Sequence, residues 1–280
     1  MTKTISVLGP SGTFTEEACI RYAPSANIAL CPTITSVGAA VSNSETELGI
    51  VPIENSLGGS VPETLDLLID DPNLFIYDEF VIPISHTLMK KKDTVGTDIE
   101  IIFSHPQALA QCKLFLEKHF PTTQQVASLS TAAAVQDMHN SSVASAAIGT
   151  HRAAVIHQAD IITENIQDNS SNATRFVVLA RQDNKITGTD KTSFCVSFNE
   201  DTPGALHDVL GEFAKHDINL AKVESRPTKE SLGKYIFLID CEGHRNDKEI
   251  SAAMNNIREK TSFLRIFGSY PRWDPHKENK

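Results

Sequence analysis

The chain has 280 residues, 40% of them hydrophobic and 21% charged, with a net charge of −10. That length suits one large or two ordinary domains with ample cores, and the acidic balance disfavours nucleic acid as a partner. No apolar run is long enough to span a membrane. The five cysteines (Cys19, Cys31, Cys112, Cys195 and Cys241) are scattered, odd in number and without C-x-x-C spacing. They predict free thiols in a reducing compartment rather than a zinc site or disulfide framework. The N-terminus enters an apolar strand directly, without the features of a secretion signal, which predicts a cytoplasmic location.

Thr4–Leu8 reads as a strand running through Gly9-Pro10-Ser11-Gly12-Thr13 into a helix that ends near Tyr22. A glycine-rich turn into a helix N-terminus presents free backbone N–H groups, a ready anion site. Ser36–Asn43 is a short helix and Leu48–Val51 a buried strand. It leads to a polar loop, Pro52 to Ser60, that carries Glu54, Asn55 and Ser56. Glu54 reads either as a loop-bracing carboxylate or as a ligand-contacting acid. Pro62 opens the helix Glu63–Ile69. Leu74–Met89 is β-rich and crosses into a second lobe, and Lys90, Lys91 and Lys92 form an exposed loop.

Ile99–Phe103 is the next strand. Ser104-His105-Pro106-Gln107 follows, opening a helix to His119, with His105 either a structural histidine or a substrate donor. Gln125–Ala127 is a strand and Ser130-Thr131 caps the helix Ala132–His139. Ala144–Ile148 is a strand, Gly149–Gln158 a helix and Asp160–Thr163 a strand. Alternating strands and helices predict parallel α/β sheets in two lobes, with ligand loops at the carboxyl ends of the strands. Those loops collect Ser11, Thr13, Asn55, Ser56, Ser104, His105 and Thr131. The turn formers Asp168 to Asn172 then lead through Ala173, Thr174 and Arg175 into the apolar run Phe176–Ala180. An arginine beginning a buried strand needs an anionic partner.

Arg181–Lys191 is polar and without helical period, an interdomain linker. Beyond it the pattern changes. Strands at Thr192–Phe198, Ile218–Glu224, Tyr235–Cys241 and Phe263–Gly268 alternate with helices at Pro203–His216 and Asp247–Lys260. That βαββαβ order is ferredoxin-like, and self-association is expected because such a sheet has helices on one face only and open edges.

Several motifs together resemble the prephenate dehydratase family: G-P-S-G-T-F-T at 9–15, V-P-I-E-N-S-L-G-G-S-V at 51–61, S-H-P-Q-A-L-A-Q-C at 104–112, S-T-A-A-A at 130–134 and I-Q-D-N-S-S-N-A-T-R-F at 166–176. The second half resembles an ACT regulatory domain, with P-G-A-L at 203–206, E-S-R-P at 224–227 and G-S-Y-P at 268–271. Departures are Ala173, where relatives often carry an aromatic, and Gln158-Ala159, where Gly-Leu is common. The resemblance implies a two-lobed, type 2 periplasmic-binding-protein-like catalytic domain at 1–182, with lobes at roughly 1–77 plus 160–182 and 78–159. A linker at 183–191, the ferredoxin-like ACT domain at 192–271 and a polar tail at 272–280 complete the expected layout. It also implies a single activity, with no chorismate mutase domain.

The implied reaction is carbon–oxygen lyase chemistry: prephenate loses carbon dioxide and its ring hydroxyl to give phenylpyruvate. Aromatisation drives it, so no cofactor and no metal are called for. By the resemblance Thr174 acts on the departing hydroxyl, Arg175 clamps a carboxylate and Glu54 is a reserve acid. Ser11, Gly12, Thr13, Asn55, Ser56, Ser104, His105, Thr131, Asn172 and Phe176 are expected to line the substrate. L-Phenylalanine is the expected effector, bound between paired ACT domains by Gly204, Ala205, Leu206, Asn219, Leu220, Glu224, Ser225, Arg226 and Pro227. The expected assembly is a homodimer or homotetramer, without nucleic acid or membrane partners. Alternatives are an arogenate dehydratase or a non-catalytic two-lobed sensor. The stretch Asn172–Phe176 lies on a return crossover, so an effector that shifts the lobes would move Thr174.

Overall fold

The computed structural model describes residues 2–92, 99–200, 202–228 and 234–274. The first part of the chain runs β1 (Thr4–Leu8), α1 (Phe14–Tyr22), β2 (Asn27–Cys31), α2 (Ile34–Ser42), β3 (Leu48–Asn55), β4 (Gly59–Ser60), α3 (Pro62–Asp70) and β5 (Phe75–Pro83). Next come β6 (Thr87–Lys90), β7 (Ile101–Ser104), α4 (Pro106–Gln111), α5 (Lys113–His119), β8 (Gln124–Ala127), α6 (Thr131–Asn140), β9 (Ser145–Gly149), α7 (His151–Ile156), β10 (Asp160–Thr163) and β11 (Ala173–Ala180). The remainder is β12 (Asp190–Ser197), α8 (Ala205–Lys215), β13 (Leu220–Pro227), β14 (Tyr235–Glu242), α9 (Lys248–Lys260) and β15 (Phe263–Pro271). The expected polar tail lies outside the described residues from 275 onward.

Three sheets result: β2-β1-β3-β11-β5 with β4 paired to β3, then β10-β6-β9-β7-β8, then β13-β14-β12-β15. Two α/β sheets and a βαββαβ unit are the architecture expected. The second sheet is mixed rather than parallel. β7 pairs parallel with β8 and β9, whereas β6 runs antiparallel to both β9 and β10. β6 enters directly from β5 without a crossover helix, so nothing constrains it to the parallel sense. The pairings also shift the expected lobe limits. All of β5, to Pro83, joins the first sheet, and β10 at 160–163 joins the second. By internal packing the chain divides into two units: residues 1–40, 46–61 and 81–176, and residues 41–45, 62–80 and 177–280.

Alternation along the strands of the second sheet sorts its two cores. Leu88, Ile102, Ala146 and Ile148 face Cys112, Leu116 and Ile166, while Met89 and Ala147 face Ala134, Val135, Met138, Ala153 and Ala154. In the last sheet Phe194, Val196, Val209, Phe213, Ile239, Ile250 and Ile257 form a third core, with Phe194 and Phe213 stacked at 5.5 Å. Burial of this kind stabilises each core by about 25 cal/mol per Å² of apolar surface removed from water.

β2 is absent from the sequence reading: it is a short, half-exposed edge strand without alternation. β3 runs through Pro52 to Asn55. β1 pairs only as far as Ile50, so the missing N–H of Pro52 costs no ladder bond to β1. Glu54 and Asn55 therefore sit on a strand end instead of in a loop. Lys90 closes β6, paired to Ala146 and Asp160, and only Lys91 and Lys92 are exposed coil. The single helix expected after Pro106 breaks at Cys112, and Asp168 caps the second piece by accepting from the Leu114 and Phe115 N–H groups at 3.0 and 3.2 Å. Helix α8 starts at Ala205, after Gly204 takes a left-handed cap at φ 91°.

The expected linker is tightly held within the second unit. Asp190 accepts from the Thr187 and Gly188 N–H groups at 2.8 and 3.0 Å, and β12 starts there, two residues earlier than the alternation predicts. β12 is also buried on both faces, not half-buried. One face meets α8 and α9, and the other side of the sheet meets residues 62–80. Gly268 lies so close to the Ile76 backbone that a Cβ would stand 2.3 Å from its carbonyl oxygen. Arg265 donates to the Asp71 and Leu74 carbonyls at 3.0 and 2.8 Å, and Lys191 pairs with Glu79 at 2.7 Å.

Candidate active site

The first unit gathers the ends of β3 and β11, which are neighbours in one sheet. Asn55, the last residue of β3, organises the edge. Its side-chain oxygen accepts from the Leu57 and Gly58 N–H groups at 3.1 and 2.8 Å. That fixes the amide orientation. Its nitrogen therefore faces β11, donating to Asn172 Oδ1 at 2.9 Å, the Ala173 carbonyl at 3.1 Å and Thr174 Oγ1 at 2.9 Å. Ser56 completes the junction: its N–H donates to the Ala173 carbonyl at 2.9 Å and its hydroxyl accepts from the Ala173 N–H at 3.0 Å.

Thr174 is only 8% exposed. Its oxygen accepts from Asn55, which leaves the hydroxyl hydrogen to donate. Next along the strand, Arg175 is held near Glu54, 3.5 Å between Nη1 and Oε2, with side chains 14% and 36% exposed. Phe176, expected to line the substrate, is 1% exposed. A positioned hydroxyl donor thus adjoins a mostly buried guanidinium, a pair suited to a leaving oxygen and a carboxylate.

Behind this edge lies a buried amide relay. Asn172, 1% exposed, donates through Nδ2 to Gln111 Oε1 at 3.0 Å, and His86 Nε2 meets the same oxygen at 2.8 Å. Burial pushes the His86 imidazole below its usual pKa, more than the contact with Gln111 raises it. The ring stands edge-on to Phe14 at 5.6 Å.

The glycine turn after β1 is a self-contained ion site. Glu16 accepts from the Ser11 hydroxyl at 3.0 Å and the Gly12 N–H at 2.6 Å, and Arg152 clamps it side-on at 3.0 and 2.9 Å. Burial opposes the charge of Glu16, but Arg152, Gly12 and Ser11 together bring its pKa below the usual value. The Thr13 hydroxyl donates to the Leu8 carbonyl at 3.2 Å and caps α1. Of the donors expected to hold a substrate carboxylate, the Ser11 hydroxyl and Gly12 N–H are therefore committed to the chain's own Glu16, and the Thr13 hydroxyl to the Leu8 carbonyl. Thr150 donates to the Gly12 carbonyl at 2.7 Å. Gly12, at φ 88°, packs so near Ala153 that a Cβ would lie 3.1 Å away.

The remaining expected residues divide. Ser104 is fully buried and donates to the Ile148 carbonyl at 2.8 Å, a strand-bracing role. His105 caps α4, accepting from the Gln107 N–H at 3.3 Å. Thr131 is partly exposed at the first turn of α6, where Ser130 supplies the cap. Gln107 reaches the Asn55 loop: a Cβ on Gly58 would meet its Nε2 at 2.8 Å. Sequence reasoning missed Glu16, His86, Gln107, Gln111 and Arg152. Gln107 and Gln111 stood inside the S-H-P-Q-A-L-A-Q-C motif; the others carried no signal separating them from surface charges or structural histidines. Cys112 adjoins the site, but burial pushes its thiol up to about 12, so it is no nucleophile at neutral pH. All five cysteines are free thiols.

In the second unit the expected effector residues divide between the start of a helix and an edge strand. Gly204 to Leu206 open α8, Asn219 accepts from the Glu242 N–H at 3.0 Å, and β13 carries Leu220, Glu224, Ser225, Arg226 and Pro227. Lys222 pairs with Glu224 at 3.0 Å, and Arg226 pairs with Asp66 of α3.

The prephenate dehydratase family model matches residues 5–184 and the ACT domain model residues 196–259. The chain belongs to the prephenate dehydratase family. The prephenate dehydratase of Methanocaldococcus jannaschii is 36% identical over 98% of this chain and 100% of its own length. Among solved structures, a prephenate dehydratase from Arthrobacter aurescens in complex with L-Phe is 35% identical, covering 96% of this chain and 90% of that one at a TM-score of 0.88. GqqA, described as a novel type of quorum-quenching acylase, is 27% identical with a TM-score of 0.86, covering 98% of this chain and 100% of its own. The prephenate dehydratase family places carbon–oxygen lyase chemistry on the first part of this chain and an ACT regulatory domain on the second. Among the described residues, no helix is long and apolar enough to cross a membrane.

Proposed function

We propose that this chain converts prephenate to phenylpyruvate, carbon dioxide and water, and that L-phenylalanine inhibits it through the ACT domain. The observation that carries the reading is the Thr174 hydroxyl, fixed as a donor because Asn55 occupies its oxygen. Arg175 holds a substrate carboxylate, exchanging its long contact with Glu54 for a bidentate one. Thr174 hydrogen-bonds the departing ring hydroxyl. As the ring C–O bond breaks, both electrons stay on the oxygen, which departs as hydroxide against the Thr174 hydrogen bond and takes a proton from solvent to become water. The ring carbon–carboxylate bond breaks in the same sense, its electron pair enters the ring, and carbon dioxide departs. A threonine hydroxyl is a weak acid, so its contribution is a fixed hydrogen bond in a dry site. Glu54 and His105 stand as reserve acids.

The reading takes the enzyme as a cytoplasmic homodimer or homotetramer, with the catalytic domain at 1–182 and ACT domain at 192–271. The likeness to GqqA favours a second reading, acyl transfer at the same hydroxyl. A nucleophilic hydroxyl needs a base to accept its proton. The described partner of Thr174 is an amide donor, which argues against that reading. The test is phenylpyruvate formation from prephenate, repeated with arogenate, with an acylated quorum signal and with added L-phenylalanine. Turnover of prephenate, inhibited by L-phenylalanine, is expected. Turnover of the acylated signal alone would overturn the proposal.

A further inference from the structure

The buried histidine beside the site has no role in the chemistry above, and its hydrogen bonds fix its protonation pattern. Leu57 and Gly58 N–H groups hold Asn55 Oδ1, so Asn55 Nδ2 must point at Thr174 and Asn172. Asn172 therefore presents Oδ1 to Asn55 and Nδ2 to Gln111 at 3.0 Å. Gln111 must answer with its oxygen. That same oxygen lies 2.8 Å from His86 Nε2, which can only be a donor there. His86 Nδ1 is then a bare acceptor, buried and without a hydrogen-bond partner.

Everything around the ring holds it in place. The His86 N–H donates to Gln167 Oε1 at 2.9 Å, its carbonyl accepts from the Ile166 N–H at 3.1 Å, and Phe14 packs on the ring in a T-shaped contact. The imidazole is 2% exposed.

We infer that His86 is a positioning residue, held as the neutral Nε2–H tautomer, that orients Gln111 and through Asn172 and Asn55 keeps the Thr174 hydroxyl aimed as a donor. This inference rests on the reading of Thr174 as the donor to the departing hydroxyl. Donation runs from the turn N–H groups through Asn55 and Asn172 to Gln111 Oε1, and from His86 Nε2 to that same oxygen, so the relay is held from the backbone at one end and from the imidazole at the other. Removing the imidazole donor leaves Asn172 Nδ2 as the other described partner of Gln111 Oε1, so Gln111 is less firmly placed, and Asn172 shifts with it against Asn55 Nδ2.

The tautomer is tested first, independently of activity. Nitrogen-15 spectra of the imidazoles at neutral pH, with the His86 signals assigned by their loss in His86→Gln, should show Nε2 protonated and Nδ1 bare. A protonated Nδ1 overturns the inference whatever the enzyme turns over. Kinetics follow on the full chain. His86→Leu should lower kcat for prephenate about tenfold with KM changed less than about twofold, as expected for one positioning hydrogen bond. His86→Gln, which keeps a donor near the Nε2 position, should recover kcat to within about threefold. In a Thr174→Ala background His86→Leu should cost nothing further, because the hydroxyl it aims is gone. A glutamine variant as poor as leucine, or a full tenfold loss persisting without Thr174, overturns the relay. If Thr174→Ala alone is fully active, the reading of Thr174 as the donor to the departing hydroxyl falls, while the tautomer spectrum still judges the orientation. Should His86→Leu fail to fold, the spectrum and the His86→Gln kinetics decide.

Discussion

Glu16 offers the most direct test of how the glycine turn is built. Its carboxylate is 5% exposed and accepts from Ser11, Gly12 and both edge nitrogens of Arg152. Each charge-assisted bond of this kind is worth about 1.5–3 kcal/mol, and breaking a fully buried pair costs about 3–5 kcal/mol. Arg152 is 38% exposed and can rehydrate. Glu16→Ala should therefore fall at the lower end, about 3 kcal/mol, and Glu16→Gln, which keeps shape and one acceptor, at about 1–2 kcal/mol. The pH dependence has a definite sign. Glu16 has a folded pKa below its unfolded value of 4.5. Its charge therefore stabilises the fold fully above the unfolded value, and that contribution fades as pH falls through the folded one. Circular-dichroism unfolding of wild type and Glu16→Gln at pH 7 and at pH 3 measures it. The gap should be present at pH 7 and narrower at pH 3. Because Ser11 to Thr13 lose their anchor, KM for prephenate should also rise. Equal stability at pH 7, or a gap unchanged at pH 3, refutes the argument.

Thr174→Val keeps the shape and leaves Asn55 two other acceptors, so the fold should survive while kcat falls about 10²–10³-fold. Thr174→Ser should stay within about tenfold of wild type, and a valine variant within fivefold would remove Thr174 from the chemistry. Arg175→Lys replaces a fork by a point charge and should raise KM about tenfold with a smaller effect on kcat, read from initial rates. Glu79 pairs with the buried Lys191 and accepts from the Trp273 N–H at 3.0 Å. Glu79→Ala strands a buried ammonium and should cost about 3–5 kcal/mol, visible through the single tryptophan's fluorescence on urea unfolding. Asp66→Ala removes the carboxylate on α3 that meets Arg226 of the expected effector edge. Inhibition by L-phenylalanine should weaken about tenfold while uninhibited turnover stays within about twofold. An unchanged inhibition curve would show that this ion pair carries no coupling.

The fold was legible where a pattern repeats. β7, β9 and the strands of the last sheet announced themselves by apolar runs or alternation, and their ends fall within three residues of the reading, β13 and β15 each running three residues further. Failures have local causes. β2 is an edge strand with no buried face to mark it. The break at Cys112 depends on Asp168, 53 and 54 residues away from the N–H groups it caps. The double burial of β12 comes from residues 62–80, which no pattern in Asp190–Ser197 can reveal.

The active edge shows the same limit more sharply. Thr174, Arg175, Glu54 and Asn55 stand in the motifs that carry the resemblance, and the fold brings them to adjacent strand ends. What each does was not legible, because a hydrogen bond has a direction and the sequence holds none. Asn55 lies 119 residues from Thr174, and its orientation is set by two backbone N–H groups of a turn. Had that amide pointed the other way, Thr174 would spend its hydrogen on Asn55 and keep none for a substrate. Ser11 and Gly12 illustrate the converse. As a turn into a helix they promised an open anion site, yet Glu16, four residues on from Gly12, fills it and Arg152 neutralises the result. The glycine turn is thus filled from within, and the proposed reaction rests its carboxylate clamp on Arg175 rather than on Ser11 and Gly12.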